Sequence, residues 1–188
     1  MIVYFSNDFY VGLKIIFNDK PHVIEYNQFV KPGKGQAFSR VKMRNLITKK
    51  LIEKTLKSID SFKAANILDI TVTYLYNNTK NWFFFNKETF DQISIEKKII
   101  GKSKIWLIKQ DDCCLTLWNN SPISITPNKF VYLKIVNTNS VFKNNTISSN
   151  SKLATLSNGV IIKVPSFVEN GHIIKVNTIS EEYVSRMK

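Results

Sequence analysis

Cysteine, histidine, arginine and glycine are scarce in this sequence, and each shortage removes a class of function. The two cysteines, Cys113 and Cys114, stand side by side in a chain of 188 residues. Neighbours on a strand point to opposite faces, so this pair is badly placed to close a disulfide. The two histidines, His22 and His172, lie far off in sequence, so neither a disulfide framework nor a zinc site is expected. Within "DDCCLTLW", alternation puts Cys113 on the side of Leu115 and Leu117, as a small buried hydrophobe. No apolar run approaches the roughly 20 residues of a membrane span. The opening MIVYFSNDFY has neither the basic nor the apolar region of a signal peptide. A soluble cytoplasmic protein with no membrane partner is the expectation.

Catalytic patterns are missing too. No Ser-His-Asp, Cys-His or paired-His arrangement stands out, and neither histidine lies near an acidic cluster. Asp111 and Asp112 form the one candidate carboxylate pair, and they read as a solvated turn. The sequence therefore supports no catalytic residue, no metal and no enzyme.

What is abundant is lysine. The chain carries 27 basic and 14 acidic residues, a net charge of +13. Only Arg40, Arg44 and Arg186 are arginine, and the other 24 cations are lysine. Polyanions are the natural partners of such a balance. Lysine, asparagine and isoleucine are enriched together, however, as AT-biased codon drift would make them, so position matters more than the total. Residues 1–64 hold 12 basic and 5 acidic residues, 65–128 hold 7 and 6, and 129–188 hold 8 and 3. The excess sits at the two ends.

Aromatic and β-branched residues dominate the rest, in short runs between turn residues. "VGLKIIF" and "HVIEYNQFV" flank "NDKP" and predict a hairpin. "QAFSRVKMRNLI" alternates Phe38, Arg40, Lys42 and Arg44 against Ser39, Val41 and Met43, which puts three cations on one face of a strand. Further strands are predicted in "ILDITVTYLYN", "NWFFFN", "CCLTLWN", "SPISITP", "FVYLKIVNT", "GVIIKVPSFV" and "HIIKVNT". Only "ETFDQISIEKKIIGKSKIWLIKQ" suggests a helical turn or two. The fold class is all-β, built of small barrels or sandwiches. Seams at "KSIDSFKAANILDI" and after Pro127 divide the chain into 1–64, 65–128 and 129–188. The last two segments share a strand spacing, compatible with two copies of one barrel type.

Between two of these strands stands "FVKPGKGQAF". A phosphate-binding Walker loop is excluded, because Gln28 and Gly35 occupy positions that need glycine and a hydroxyl. The five residues 31–35, KPGKG, predict a hairpin tip. Pro32 stiffens it, while Gly33 and Gly35 admit positive φ and leave no side-chain bulk beside Lys34. The product is a slim prong tipped with one amine.

Several stretches in order, "SNDFYVGLKI", "YNQFVKPGKGQAFSRVKMRNL", "EKTLKS", "TYLYN", "NKETFDQ", "LTLWNNSPISITPNKFV", "KLATLSNGVIIKVPSFVENGHIIKVNT" and "EYVSRMK", resemble the bacterial elongation factor P family over essentially the whole chain. The resemblance implies an N-terminal SH3-like, KOW-type barrel and two OB-fold barrels, in an L-shaped, tRNA-like arrangement. It implies a translation factor that binds both ribosomal subunits beside the P-site peptidyl-tRNA and relieves stalling at consecutive prolines. Lys34 then matches the residue that modifying enzymes extend with β-lysine, and Pro32, Gly33, Lys34 and Gly35 form the loop that reaches the tRNA's CCA end. No cofactor is implied beyond that covalent group, and a monomer is expected.

The resemblance also makes Tyr183 and Arg186 tRNA contacts. Asn144, Asn145 and Thr146 fall where the family has a Gly-Asp-Thr loop near the mRNA codon of the exit site, with only the threonine kept. His172 stands where an acidic residue is usual. Other readings are an unmodified paralogue, a hypusine-bearing relative and a general single-stranded RNA binder built from OB barrels. The loop tip is intact, unlike that of paralogues, and the third segment and loop sequence differ from the hypusine branch. The general binder would need stacking aromatics rather than a special lysine.

Overall fold

The computed structural model describes residues 2–138 and 151–187. Period-two alternation becomes strand almost everywhere. β2 (Lys14–Phe17) and β3 (Lys20–Val30) form a hairpin whose turn residues, Asn18 and Asp19, have φ of 47° and 56°. Two left-handed residues make the turn whose twist matches its strands, and Asn and Asp tolerate that region best after glycine. β4 (Phe38–Asn45) and β5 (Leu51–Lys57) complete a sheet of order β2-β3-β4-β5, and β1 (Val3–Phe5) pairs with β6 (Ser61–Lys63). The seam expected at "KSIDSFKAANILDI" therefore contains a strand. Ile15, Ile24, Val41 and Met43 are fully buried in one cluster with Phe9, Leu13 and Leu56.

A buried serine joins the ends of this region. The Ser6 N–H donates to the Asp60 carbonyl at 3.0 Å and its hydroxyl to the Lys57 carbonyl at 2.6 Å. Its own carbonyl accepts the Ser39 hydroxyl at 2.9 Å, so the polar groups of this serine are all paired.

The next sheet holds β7 (Ile67–Asn77), β8 (Asn81–Phe85), β9 (Gln92–Glu96), β10 (Asp112–Trp118) and β11 (Ser121–Pro127), in order β9-β8-β7-β10-β11. The last holds β12 (Phe130–Thr138), β13 (Ser151–Leu156), β14 (Ile161–Pro165), β15 (Ile173–Asn177) and β16 (Glu182–Arg186), in order β14-β13-β12-β15-β16. Counted from its own first strand, each sheet reads 3-2-1-4-5. The shared strand spacing thus reflects one five-strand path used twice, that of an OB barrel.

Among the described residues helix comprises a 3₁₀ turn at Ser6–Asp8, not expected from the sequence, and α1 (Lys97–Ile100) with the 3₁₀ turn Gly101–Ile105 that follows, both within the stretch expected to hold it. That stretch also contains β9, because Ile93 and Ile95 alternate with polar neighbours and Ile95 is buried. Trp106 joins the core of the last sheet, with Val131, Ile135, Leu156, Ile174 and Val176. An extra residue interrupts the ladder at Glu25, Leu75, Val136 and Val184, each bending its strand as barrel closure requires. Packing density divides the chain into two compact units, Met1–Ile70 with Leu115–Ser124, and Thr71–Cys114 with Ile125–Lys188. Among the described residues no helix is long and apolar enough to cross a membrane.

Candidate functional site

Lys34 sits in the connection between β3 and β4. The ladder closes on the Val30–Phe38 pair, so the loop has seven residues, 31–37, rather than the five of KPGKG. Gln36 and Ala37 carry no turn chemistry, and only the register shows that they have left the strand. The base of the loop is held from both sides. Lys31 lies over the Phe29 ring, 5.8 Å from its centroid, and the Ala37 carbonyl accepts the Ser58 N–H at 3.1 Å. Lys34 itself is exposed, and among the described residues no hydrogen bond or ion pair reaches its amine.

The two glycines are not equivalent. Gly35 has φ of 103°, which side-chain-bearing residues rarely adopt. Gly33 has no positive φ, and a Cβ placed on it would meet nothing within 4 Å. The expectation that both glycines serve the turn is corrected to Gly35 alone. Gly35→Ala should cost about 1 kcal/mol of stability, and Gly33→Ala should cost almost nothing. Urea unfolding of the two single variants checks this, and equal losses would contradict the assignment. Nothing in this loop's own backbone or packing requires glycine at 33.

The three cations of β4 do share an outward face, but the structure spends them unequally. Arg44 donates from Nη2 to Glu25 at 2.9 Å, with Nε bonding the second carboxylate oxygen and Nη1 the Lys49 carbonyl. These hydrogen bonds hold the Glu25 carboxyl below the ordinary carboxylate range. Glu25 lies two residues beyond Val23, the partner of Arg44, so alternation puts it on the face of Arg44. Lys42 lies 3.7 Å from Glu53 and 5.9 Å from the centre of the Tyr26 ring. Arg40 has no carboxylate partner among the described residues and rests over Phe38, 5.7 Å from the ring centre. Phe29 and Phe38, which flank the loop, were not singled out from the sequence. The signal was there in Phe29-x-Lys31 and Phe38-x-Arg40, since i and i+2 share a face.

Within "EYVSRMK", Glu182–Arg186 form the edge strand β16. Tyr183 and Arg186 are three apart, and strict alternation would send them to opposite faces. The extra residue Val184 cancels that shift. Tyr183 pairs with Val176 and Arg186 with Ile174, two buried residues of one face. Tyr183 is half-buried against the hydrophobic core of the last sheet, while Arg186 is exposed, 5.7 Å from the Phe167 ring centre. Nearby, Nδ1 of His172 accepts the Glu169 N–H at 3.0 Å. Lys34 belongs to the first compact unit and Tyr183 and Arg186 to the second. Asn144, Asn145 and Thr146 lie outside the described residues.

Asp111 and Asp112 do not converge on a site. Asp112 is bound by Lys87 at 2.7 Å and by the Thr73 hydroxyl at 2.6 Å. The crevice beside the pair has no room for a water molecule. Burial, helped by the neighbouring carboxylates, pushes the Cys113 thiol up to about 12, and its sulfur donates to the Val72 carbonyl at 3.4 Å. A thiol held protonated is no nucleophile. Among the described residues no three His, Cys, Asp or Glu side chains gather as a metal site.

Comparison with known proteins agrees with this architecture. Residues 6–62 match the elongation factor P KOW-like domain, 67–125 the elongation factor P OB domain, and 131–186 the elongation factor P C-terminal domain. Elongation factor P of Buchnera aphidicola subsp. Acyrthosiphon pisum (strain APS) is 55% identical over 189 residues, with 100% of both chains covered. That of Buchnera aphidicola subsp. Schizaphis graminum (strain Sg) is 54% identical over 188 residues, again with 100% of both covered. Among solved structures, eukaryotic translation initiation factor 5A from Methanococcus jannaschii aligns with a TM-score of 0.54 at 16% identity, covering 67% of this chain and 92% of that one. A translation initiation factor eIF-5A family protein from Naegleria fowleri ATCC 30863 gives 0.54 at 11% identity, covering 66% and 97%. These two speak for the fold alone. With three matching domains in order and full-length relatives above half identity, the chain belongs to the elongation factor P family of translation elongation factors.

Proposed function

We propose that this factor acts in the cytoplasm, as a monomer, on ribosomes whose P-site peptidyl-tRNA reacts slowly at consecutive prolines. Lys34 is placed at the CCA end of that tRNA after modifying enzymes join β-lysine to Nζ through an amide. Segments 1–64, 65–128 and 129–188 serve as its domains. Tyr183 and Arg186 grip the tRNA, and residues 144–146 lie near the exit-site codon. The observation that carries the reading is an exposed amine with no partner among the described residues, beside a glycine, Gly33, that neither φ nor packing explains. A glycine without an internal reason fits a loop that slides into a narrow place.

The chemistry stays with the ribosome. Prolyl donors and acceptors react slowly because the ring restricts their geometry. A factor that holds the tRNA end still removes an entropy cost before the transition state. A tenfold acceleration needs only about 1.4 kcal/mol, within reach of one or two new hydrogen bonds. The test is reconstituted translation of a triple-proline message and a proline-free one, with and without β-lysylated protein. Acceleration confined to the proline message is expected. Equal effects on both messages would refute the reading.

A further inference from the structure

We propose that the outward face of β12 and β15 is a second RNA contact, one that takes a short single-stranded segment through its bases and phosphates together. Alternation along β12 buries Val131, Leu133 and Ile135 and turns Phe130, Tyr132 and Lys134 outward. Antiparallel pairing sets Tyr132 opposite Lys175 and Lys134 opposite Ile173, so the two strands share one surface. Tyr132 is 51% exposed, a large fraction for a ring in the middle of a strand.

The cations here are placed rather than scattered. Lys175 Nζ lies 4.4 Å from the centre of the Phe130 ring and Lys129 Nζ 5.5 Å from it. A ring's negative face attracts ammonium groups, so Phe130 fixes two of them beside Tyr132. None of Lys129, Lys134 and Lys175 has a carboxylate partner within salt-bridge distance among the described residues. Among β12, β15 and β16 the acid on this face is Glu182, opposite Asn177 and one strand further from Phe130. Unspent charge beside an open aromatic ring calls for a partner with both anionic and flat apolar parts.

Single-stranded RNA has both. Bases stack on aromatic rings with little regard to sequence, while lysines follow the backbone. OB barrels bind oligonucleotides on the face of their second and third strands, and β12, the first strand here, adjoins the second, β13. Duplex RNA offers phosphates but no free base to Tyr132, and an anionic membrane offers charge but no ring to stack. Tyr132 is therefore the stacking residue, Lys134 and Lys175 the phosphate ligands, and Phe130 a positioning residue that holds Lys175 and Lys129. The inference rests on reading the protein as a factor that works against RNA, and it does not depend on Lys34.

The test titrates the full-length protein with labelled twelve-residue oligouridine and oligoadenine RNA at several salt concentrations. Lys134→Gln combined with Lys175→Gln should weaken binding about tenfold and lower the salt slope by about 1.4, the value for two lost phosphate contacts on a single strand. Tyr132→Leu should weaken binding about tenfold with the slope unchanged. Phe130→Leu, which keeps every charge, should weaken it by a smaller factor, again at constant slope. Lys97→Gln with Lys98→Gln controls for general charge. The proposal fails if wild type does not bind the single strands or if a twelve-base-pair RNA duplex binds as tightly. It fails equally if the control matches the Lys134 and Lys175 pair, or if only phosphatidylglycerol vesicles bind. The translation assay reads Lys34 and the oligonucleotide assay reads this face, so each reading can fail alone.

Discussion

Lys34→Ala is expected to abolish acceleration through consecutive prolines while leaving the fold almost untouched. The side chain is exposed and makes no hydrogen bond or ion pair among the described residues, so its removal opens no cavity and orphans no partner. The stability change should stay within about 0.5 kcal/mol. Function should nevertheless vanish if, as proposed, the amine is the group that receives the β-lysine and enters the tRNA cavity. Lys34→Arg sharpens the argument. It keeps a positive charge but replaces a slim primary amine with a planar guanidinium that cannot take the same amide. It should fail as completely as alanine. Ribosome binding should weaken only moderately in both, since the barrels supply the larger contact surface. The measurement is translation of a triple-proline message with modified wild type and both variants. Full activity of the alanine variant would reduce the prong to an ordinary hairpin tip.

The contrast between Lys34 and its surroundings shows what sequence could and could not convey. Local chemistry was legible. The turns at Asn18–Asp19 and Asn119–Asn120 pair φ values of 47° and 56° with 49° and 63°, the left-handed pairs that asparagine and aspartate accept between strands. The alternation that marks Ile93 and Ile95, or Val131 and Leu133, reports directly on the buried face. What stayed hidden depends on partners distant in sequence. β6 is three residues long and exists through its pairing with β1. The loop's true length follows from the Val30–Phe38 pair.

Bulges were the larger obstacle. One extra residue inverts every later side chain, and no residue type announces it. The extra residue Val184 returns Arg186 to the face of Tyr183, which strict alternation along β16 would deny it. Likewise Gly33 and Gly35 are the same letter in the sequence. Only the backbone angle separates the glycine that the turn requires from the one it does not.

Tyr183 and Arg186 should respond to truncation in opposite ways, although both are assigned to the tRNA. Tyr183 has a share in the fold as well, because its ring packs on the core containing Val176, Ile174 and Trp106. Full removal of a buried ring costs about 3–5 kcal/mol, and a half-buried one should cost about 2. Arg186 is exposed at the strand end, so Arg186→Ala should cost less than about 0.5 kcal/mol. Binding to ribosomes carrying P-site tRNA should nonetheless fall about tenfold, since hydrogen bonds to charged groups are worth about 1.5–3 kcal/mol. Arg186→Lys should recover only part of that loss, because an ammonium cannot grip a phosphate with two parallel bonds. Tyr183→Phe keeps the ring in the core and deletes only the hydroxyl. If that hydroxyl touches the tRNA, the phenylalanine variant melts like wild type yet binds programmed ribosomes more weakly. Thermal melts and ribosome co-sedimentation of the four variants separate the two roles. Normal co-sedimentation of Arg186→Ala and Tyr183→Phe would leave Tyr183 a core residue and Arg186 a surface cation, with no part in holding tRNA.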